Sequence, residues 1–306
     1  ENNEKQIRIE RLFSDLFFGN IKNEEALSAH LFEKLDDDSV VWIETPTSTH
    51  VNYLRSLLNS NARLIVIEKP IAYCKDDIDF VKCSLMDKEN RNKIFFLSYY
   101  ILEKALPLNM LFSYNERYRK YLNIEDEYLA KNWRFAIGSL VSAEVVINEV
   151  GDTREWINTS GGHIYETFLH NVLIASLIVG KPSVWEHTKL TQSKDGETES
   201  IELSASVMGA PIMLSQKKGV SDIERCRYGR FEFSCGLIEA DLETQRETER
   251  LNQLGRTISI SIKDAYKQKY SVMTDLVMRC YHGEFFSHEA DGLENQIESL
   301  EWLSSL

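Results

Sequence analysis

The chain has 306 residues, with 35 lysines and arginines against 48 aspartates and glutamates, which gives a formal net charge of −13. A composition that is 43% hydrophobic and 27% charged is typical of a globular protein with a substantial core, and it excludes the disordered, collagen-like and low-complexity classes. The acidic balance argues against nucleic acid as the main partner, because phosphate binding needs a basic surface. A small basic pocket for an anionic metabolite stays open.

The five cysteines are too few and too scattered for a disulfide scaffold, and no C-x-x-C pair indicates structural zinc. No apolar run approaches the roughly 20 residues that a membrane span needs, and the charged stretch from Glu1 to Glu10 lacks the apolar core of a secretory signal. We therefore expect a cytoplasmic protein without membrane partners. Because the first residue is Glu1 rather than Met, the sequence could be a trimmed form of a longer one.

The first hundred residues alternate between helix patterns and short apolar runs. We expect helices at Asn23–Leu35, Thr49–Ser60 and Lys75–Met86, and strands at Ser39–Glu44, Leu64–Ile67 and Lys93–Tyr100. Gln6–Asp15 could be a further strand or the end of a helix. Strands that are apolar throughout are typical of a parallel sheet covered on both faces. The sequence predicts a Rossmann-like, doubly wound α/β domain over residues 1–105 that is incomplete at its N-terminal end.

The pattern changes after Pro107. A helical stretch runs to about Leu122, followed by a strand at Ser139–Ile147 and a helix at Gly162–Ile178. Strands at hairpin spacing are expected next, at Ser183–Leu190, Ser200–Met208, Pro211–Gln216, Arg227–Ile238 and Thr257–Ile262. Two closing helices are expected at Asp264–Tyr281 and Glu289–Leu303. Asp195-Gly196 and, more weakly, Gly209-Ala210 are suited to hairpin turns. We predict an α+β domain over residues 106–306, with a mostly antiparallel, open sheet and a closing helix that could pack back on the first domain.

Polar residues follow the expected parallel strands. In an open parallel sheet, ligands bind outside the carboxyl ends of the strands. The first of these strands is followed by Thr45-Pro46 and His50, and the second ends in Glu68-Lys69-Pro70. An ammonium at the mouth of the sheet could hydrogen-bond a substrate oxygen and move a proton. The competing interpretation is a surface lysine after an edge turn.

A second group of polar residues lies on the helix expected after Gly162. Glu166 and His170 are four residues apart and share a helical face, with His163 roughly on the same side. A carboxylate beside an imidazole can orient the ring and raise its pKa, which suits an acid/base group. These three residues could also ligate a metal, but no supporting ligand cluster is visible elsewhere, so we expect none. An ordinary surface ion pair is the third interpretation, and the apolar neighbours of the pair weaken it.

Together these motifs resemble the Gfo/Idh/MocA oxidoreductases, the relatives of glucose–fructose oxidoreductase and inositol dehydrogenase. The family patterns are V-x-I-x-T-P, a histidine, E-K-P-x-A, R-F-x-P and W…G-G-x-x-x-D-x-x-x-H. In this chain they fall on Val41–Pro46, His50, Glu68–Ala72, Lys104–Pro107, Trp156, Gly161, Gly162, Glu166 and His170. Five matches in the right order cover most of the chain and are far more specific than any one of them.

The resemblance implies NAD or NADP in the first domain and a sugar, polyol or related hydroxy or keto metabolite as substrate. It implies that Lys69 binds the reacting oxygen and that His170 is the general base, with Glu166 as its carboxylate neighbour. The residues that it places beside the cofactor are Thr45, Pro46, His50, Glu68 and, for the ribose, Asp15. Those that it places beside the substrate are Tyr100, Lys104, Trp156 and His163. Family members often form dimers or tetramers through the second-domain sheet.

The chain departs from the family pattern in three places. Gly19 is the only glycine between residues 1 and 137, so no G-x-G-x-x-G phosphate loop is present. The first strand–loop–helix unit has been lost, or a trimmed sequence lacks it, or the phosphate site has been rebuilt without glycine. Glu166 replaces the usual aspartate, and Phe168 stands where a small residue is common. These departures support an alternative hypothesis, a non-catalytic descendant that serves as a binding or assembly module.

Overall fold

The computed structural model describes residues 35–97, 122–124, 137–150, 162–195, 198–219, 224–242, 246–251, 256–262, 274–275, 277–284 and 287–306. Several sequence predictions lie outside these residues: the elements before residue 35, the helix expected after Pro107, and the site residues Asp15, Tyr100, Lys104, Trp156 and Gly161.

The first sheet has three parallel strands in the order β1-β2-β3 (Val40–Ile43, Leu64–Glu68, Ile94–Leu97). The four apolar residues of β2, from Leu64 to Ile67, are at most 1% exposed. Such a strand loses contact with water on both faces, so its near-continuous apolar run is the pattern that a covered parallel strand requires. The predicted α/β architecture is confirmed here.

Three helices accompany this sheet: α1 (Thr47–Leu58), α2 (Lys75–Met86) and α3 (Lys88–Lys93). Helix α1 begins two residues before the predicted start, directly after Pro46. The short helix α3 was not predicted. It begins where the Asp87 side chain accepts hydrogen bonds from the backbone N–H groups of Glu89 and Asn90, which caps its first turn.

The second sheet has nine strands in the order β4-β12-β11-β10-β9-β5-β8-β7-β6. The strands are β4 (Leu122–Ile124), β5 (Leu140–Val150), β6 (Glu186–Asp195), β7 (Thr198–Val207), β8 (Ala210–Gly219), β9 (Cys226–Phe233), β10 (Gly236–Asp241), β11 (Arg246–Leu251) and β12 (Arg256–Ile262). All neighbours pair antiparallel except β5 and β8, which are parallel. The predicted mostly antiparallel sheet is confirmed.

Three local predictions in this sheet were wrong. The expected single strand Arg227–Ile238 is the β9–β10 hairpin, which turns at Ser234 and Cys235. The residues 183–185 that were expected to begin β6 precede it, and Pro182–Val184 form a 3₁₀ turn. The β7–β8 turn was expected at Gly209-Ala210 but lies one residue earlier, at Met208 and Gly209. Their φ values are 50° and 83°, and a two-residue hairpin of this type needs positive φ at both positions.

One face of this sheet, here called the inner face, is covered by the helical region 164–179. A π-helical segment, Ile164–Phe168, leads directly into helix α4 (Leu169–Val179). The Asn171 side-chain amide donates to the backbone oxygens of Val145 on β5 and Ser215 on β8, at 3.2 and 2.8 Å. These bonds fix α4 on β5 and β8.

The last helix, α5 (Ser287–Ser305), contacts α4 as well as α2 and β3 of the first sheet. The Trp302 ring packs edge-on against the Trp185 ring, with centroids 5.1 Å apart. Helix α5 therefore holds the two halves of the molecule together. Among the described residues, no helix combines the length and apolar character that crossing a membrane would take.

Candidate active site

Lys69 joins the two halves of the molecule at the carboxyl end of β2. Its Nζ donates to the backbone oxygen of Glu166 at 2.7 Å and to the Glu166 carboxylate Oε2 at 3.2 Å. The two side chains are only 13% and 7% exposed. An ion pair this sheltered from water is screened far less than a surface pair. The interpretation of Lys69 as a solvated surface lysine is therefore wrong.

Thr47 completes the contact from the first residue of α1. Its hydroxyl donates to the other carboxylate oxygen of Glu166, Oε1, at 2.6 Å. Both oxygens of one carboxylate from the second half thus accept hydrogen bonds from the first half. Sequence reasoning missed Thr47, although its place at a strand end, in the run Thr45-Pro46-Thr47, was the available signal.

Glu166 is presented by the π-helical segment rather than by a regular α-helix. The Leu169 N–H donates to the oxygen of Ile164, five residues earlier, which is the wider π turn. Such turns are frequent at functional sites. The segment starts after Gly162, whose φ of +85° favours glycine. The wider turn and the extra methylene of glutamate both move the carboxylate, and it nonetheless reaches Thr47 and Lys69.

His50 lies inside the first domain between two strand-end loops. Its Nδ1 is 2.9 Å from the Pro70 oxygen and its Nε2 is 2.6 Å from the Thr45 oxygen, and the residue is 1% exposed. Burial lowers the pKa of the ring, while the two carbonyl partners oppose this shift. The imidazole thus ties the end of β1 to the end of β2. Its contact with a cofactor stays a prediction.

The other residues expected beside a cofactor differ in exposure. Thr45 and Pro46 are exposed at the edge of the first sheet. Glu68 is partly buried, and burial raises the pKa of its carboxyl group. All three residues lie at the carboxyl edge of the first sheet, since Thr45 and Pro46 follow β1 and Glu68 ends β2, and their contact with a cofactor stays a prediction.

His170 lies on α4, one helical turn beyond Glu166, and is 3% exposed. Its pKa lies well below the ordinary value, first because the ring is desolvated and then because of the cations Lys69, Arg227 and Lys218. The imidazole is therefore neutral at neutral pH. Whether this ring and the Lys69 ammonium act on the same small molecule stays a prediction.

A row of charged side chains crosses the inner face of the second sheet beside His170. Glu199 on β7 pairs in register with Lys218 on β8, and Lys218 with Glu149 on β5. Arg227 on β9 binds the Glu149 carboxylate through Nη2 at 2.5 Å. Sequence reasoning missed this charged row. Its signal was an inward strand position that changes from apolar to polar, from Ile212 and Leu214 to Gln216 and Lys218.

His163, at the start of the π-helical segment, is 1% exposed. Burial lowers the pKa of its ring to about 4, with Glu199 and Glu149 opposing the shift and Lys218 adding to it. Neither ring nitrogen has a hydrogen-bond partner within the described part of the chain. Leaving a buried polar group unsatisfied costs about 1–3 kcal/mol. His163 is thus a polar group that lacks a partner next to the candidate site.

The opposite, outer face of the sheet carries a separate depression. A shallow cavity of about 480 Å³ is lined by Glu144, Tyr228, Arg230, Glu239 and Asp241 among others. Burial raises the pKa of the Tyr228 hydroxyl to about 12, helped by its bond to Glu144. This cavity is not part of the Lys69 site, because its residues alternate with the inner-face residues of the same strands.

The metal interpretation finds no support in the described residues, where no group of three or more histidines, cysteines, aspartates or glutamates is placed to hold a metal ion. The polar groups that the structure brings together at the mouth of the first sheet are an ammonium, a carboxylate and a hydroxyl. These groups can hold an oxygen and handle a proton.

No family model and no curated protein matches this sequence. Solved structures do match. UDP-N-acetylglucosamine 3-dehydrogenase GnnA from Acidithiobacillus ferrooxidans superposes with a TM-score of 0.64 at 14% identity, over 99% of this chain and 86% of that one. Biliverdin reductase from Synechocystis sp. PCC 6803, in complex with biliverdin and NADP+, gives 0.61 at 11% identity, over 91% and 86%.

The chain has the fold of the Gfo/Idh/MocA-type oxidoreductases. Levoglucosan dehydrogenase, in complex with NADH and levoglucosan, also matches, with a TM-score of 0.57 at 15% identity, over 85% of this chain and 68% of that one. The resemblance and the two-part fold class predicted from the sequence are thereby confirmed. At these identities the likeness establishes the fold, and the roles of individual residues stay predictions.

Proposed function

We propose that this protein is an NAD(P)-dependent oxidoreductase that acts on a hydroxyl-bearing or carbonyl carbon of a sugar, a polyol or a related metabolite. The observation that carries the proposal is the contact of Lys69 and Thr47 with Glu166. It brings an ammonium from the carboxyl edge of the first sheet to the helical region that carries His170. Structural neighbours that bind NADH or NADP+ support the same reaction class.

Lys69 is proposed to hold the reacting oxygen. An ammonium has three N–H donors, and the two acceptors that it contacts among the described residues both belong to Glu166. One donor is therefore available for a substrate hydroxyl or carbonyl. A positive charge next to that oxygen stabilises the alkoxide character that develops when the carbon gives up hydride.

His170 is proposed to accept the hydroxyl proton. Burial and nearby cations keep its ring neutral, which is the form that can act as a base. Glu166 compensates the charge of Lys69 and fixes the position of its Nζ. The dinucleotide supplies the chemistry that these side chains lack, namely a hydride acceptor or donor.

The described residues fit the reacting end of such a cofactor better than its phosphates. Thr45 and Pro46 are exposed beside Lys69 and are proposed to border the nicotinamide end. No glycine occurs between residues 35 and 97, so a phosphate-binding loop of the usual type is not built from that stretch.

The alternative is a binding or assembly module that has lost dinucleotide binding. Two observations favour it: the absence of glycine from 20 to 137, and the direct closure of Lys69 on Glu166. In the enzyme the substrate oxygen has to share that ammonium with Glu166, whereas in a module the closed pair simply joins the two domains.

We also propose a cytoplasmic location and a homodimer or tetramer built through the outer face of the second sheet. Val150 and Met213 are 58% and 45% exposed on that face. Apolar exposure on an open sheet face favours association.

The proposed function is tested by following NADH and NADPH absorbance while the full chain is incubated with a panel of sugars and polyols. We expect cofactor-dependent turnover with at least one of them, and its loss in Lys69→Ala. If no panel member is turned over with either cofactor, or if the folded variant is as active as the wild type, the oxidoreductase proposal fails.

A further inference from the structure

The inner face of the second sheet carries buried polar groups that the proposed reaction does not use. Glu199, Lys218 and Glu149 lie side by side across β7, β8 and β5, and Arg227 follows on β9. The two members of this row with the clearest burial, Lys218 and Glu199, are 5% and 8% exposed. Four charges removed from water in one row require a structural or functional reason.

Two side chains beside this row lack hydrogen-bond partners in the described residues. Gln216 is 0% exposed, and neither its Oε1 nor its Nε2 has a partner. It is in register with Ile201 and Ile147 on the neighbouring strands, one inward position before Lys218. Both ring nitrogens of His163 likewise have no hydrogen-bond partner among the described residues. Buried amides and imidazoles are nearly always satisfied, so these two groups point to a ligand.

The row lies beneath the helical region that carries Glu166 and His170. Asn171 of that region donates to backbone oxygens on β5 and β8, the strands that carry Glu149 and Lys218. The polar row is therefore on the side of the candidate active site that faces the second sheet. A substrate whose reacting oxygen lies at Lys69 would extend in this direction.

The charges of the row are balanced. Its two carboxylates face two cations, and each cation already has a carboxylate neighbour, since Lys218 lies between Glu199 and Glu149 and Arg227 binds Glu149. The Gln192 amide also donates to Glu199. A phosphate or carboxylate entering here would gain no uncompensated positive charge and would lie close to two carboxylates.

We propose that this row, with Gln216 and His163, is the subsite for the part of the substrate remote from the reacting carbon, and that it accepts an uncharged, hydroxyl-rich group rather than a phosphate or carboxylate. The inference rests on the proposed function, because it concerns the far end of the same substrate. An amide and a neutral imidazole each offer a donor and an acceptor. Neighbouring hydroxyl groups can satisfy both, whereas an anion offers acceptors only.

The test compares neutral compounds with their charged counterparts. The probes are glucose with glucose 6-phosphate and gluconate, and myo-inositol with its 1-phosphate. Dissociation constants are taken from the rise in Tm of the full chain with probe concentration. We expect the neutral members to bind at least about tenfold more tightly than the anions. Equal or tighter binding of the anions, or no binding by any probe, would overturn the inference.

Two variants assign the binding to this row. Gln216→Leu keeps the volume and removes both polar atoms, and we expect it to raise the Kd of the neutral probes about tenfold or more. Glu199→Gln leaves the row with one excess positive charge and should shift preference towards the phosphorylated probes. Glu202→Gln, on the same strand but exposed, is the matched control and should bind as the wild type does.

An unchanged Kd in Gln216→Leu, or an unchanged preference in Glu199→Gln, would contradict the inference, and the second variant decides if the first does not fold. The measurement needs neither cofactor nor turnover, so the two proposals fail separately. If neutral probes bind through Gln216 but no redox activity is found, the subsite proposal stands and the oxidoreductase proposal fails. If turnover is found and does not change in the Gln216 and Glu199 variants, the oxidoreductase proposal stands and the subsite proposal fails.

Discussion

The two sheets contribute to the candidate site in different ways. In the first sheet the strands themselves are apolar and buried, and the polar groups, Thr47 and Lys69, come directly after strand ends. In the second sheet the polar groups lie within the strands, on the inner face, as with Gln216 and Lys218 on β8. One sheet offers an edge to the ligand and the other offers a face.

This difference separates two physical tasks. A strand end places a few flexible side chains where charge can meet a reacting atom, and its backbone is already satisfied by the sheet. A strand face holds its side chains at fixed spacing, with neighbours on adjacent strands about 4.5–5.5 Å apart. We infer that the edge is suited to chemistry and the face to recognition, and each of the following experiments can break or sharpen that division.

The largest effect is expected at Lys69. Lys69→Ala should lower kcat/KM by about 10²- to 10⁴-fold, the range for loss of a group that handles a proton or its oxygen. It also leaves the buried Glu166 carboxylate without its cation, so stability should fall too. The double variant Lys69→Met/Glu166→Gln should regain stability but not activity. Lys75→Ala, at an exposed position, is the control. Activity that returns with stability would make Lys69 a structural residue.

The next effect is a loss of stability on acidification. The folded protein holds the pKa of His163 at about 4, below its ordinary 6.5. Between these values the unfolded chain binds more protons than the folded one, so the stability decreases as the pH decreases. The loss should be complete near pH 4 and on the order of 3 kcal/mol. His170 shifts in the same direction.

Urea unfolding across this pH range measures the loss. His163→Gln cannot be protonated and should give a shallower decline than the wild type. His187→Asn, at an exposed histidine, should follow the wild-type curve. Identical slopes for the wild type and His163→Gln would show that this ring is not the group that resists protonation.

A smaller effect is expected at Thr47. Thr47→Val removes the hydroxyl bound to Glu166 with little change in volume, and should cost about 1.5–3 kcal/mol, the range for a hydrogen bond to a charged group. Thr47→Ser keeps the hydroxyl and should restore most of that free energy of unfolding. A wild-type stability in Thr47→Val, with a loss only in Thr47→Ser, would mean that the γ-methyl group, rather than the hydrogen bond, matters at this position.

Much of the fold could be predicted because its cause is local. The apolar run of β2 and the 3.6-residue pattern of α2 are visible in the sequence, and α2 begins and ends at the predicted residues. Strand β11, with the charged sequence RETERL, could not be found, because its pairing with β10 and β12 is decided by those strands. Likewise, the π turn at Glu166 does not follow from side-chain spacing.

The site shows the same division. Lys69 and Glu166 were found because strand ends and helix faces can be located along the chain. Gln216, Lys218 and Glu199 were missed because alternation along a strand does not tell which face is covered. Polar residues at alternate positions are expected to face water, and only the packing of α4 on the sheet reveals that these face inward.

The most direct test of the account is whether this chain binds a nicotinamide dinucleotide. We expect millimolar NADH or NADPH to raise Tm, since a ligand at a hundred times its Kd adds about 2.7 kcal/mol to the stability of the native state. A rise with one cofactor and a smaller rise with the other would support the oxidoreductase and select between NAD and NADP. An unchanged Tm with both would contradict it and favour a module whose Lys69–Glu166 pair only joins the two domains.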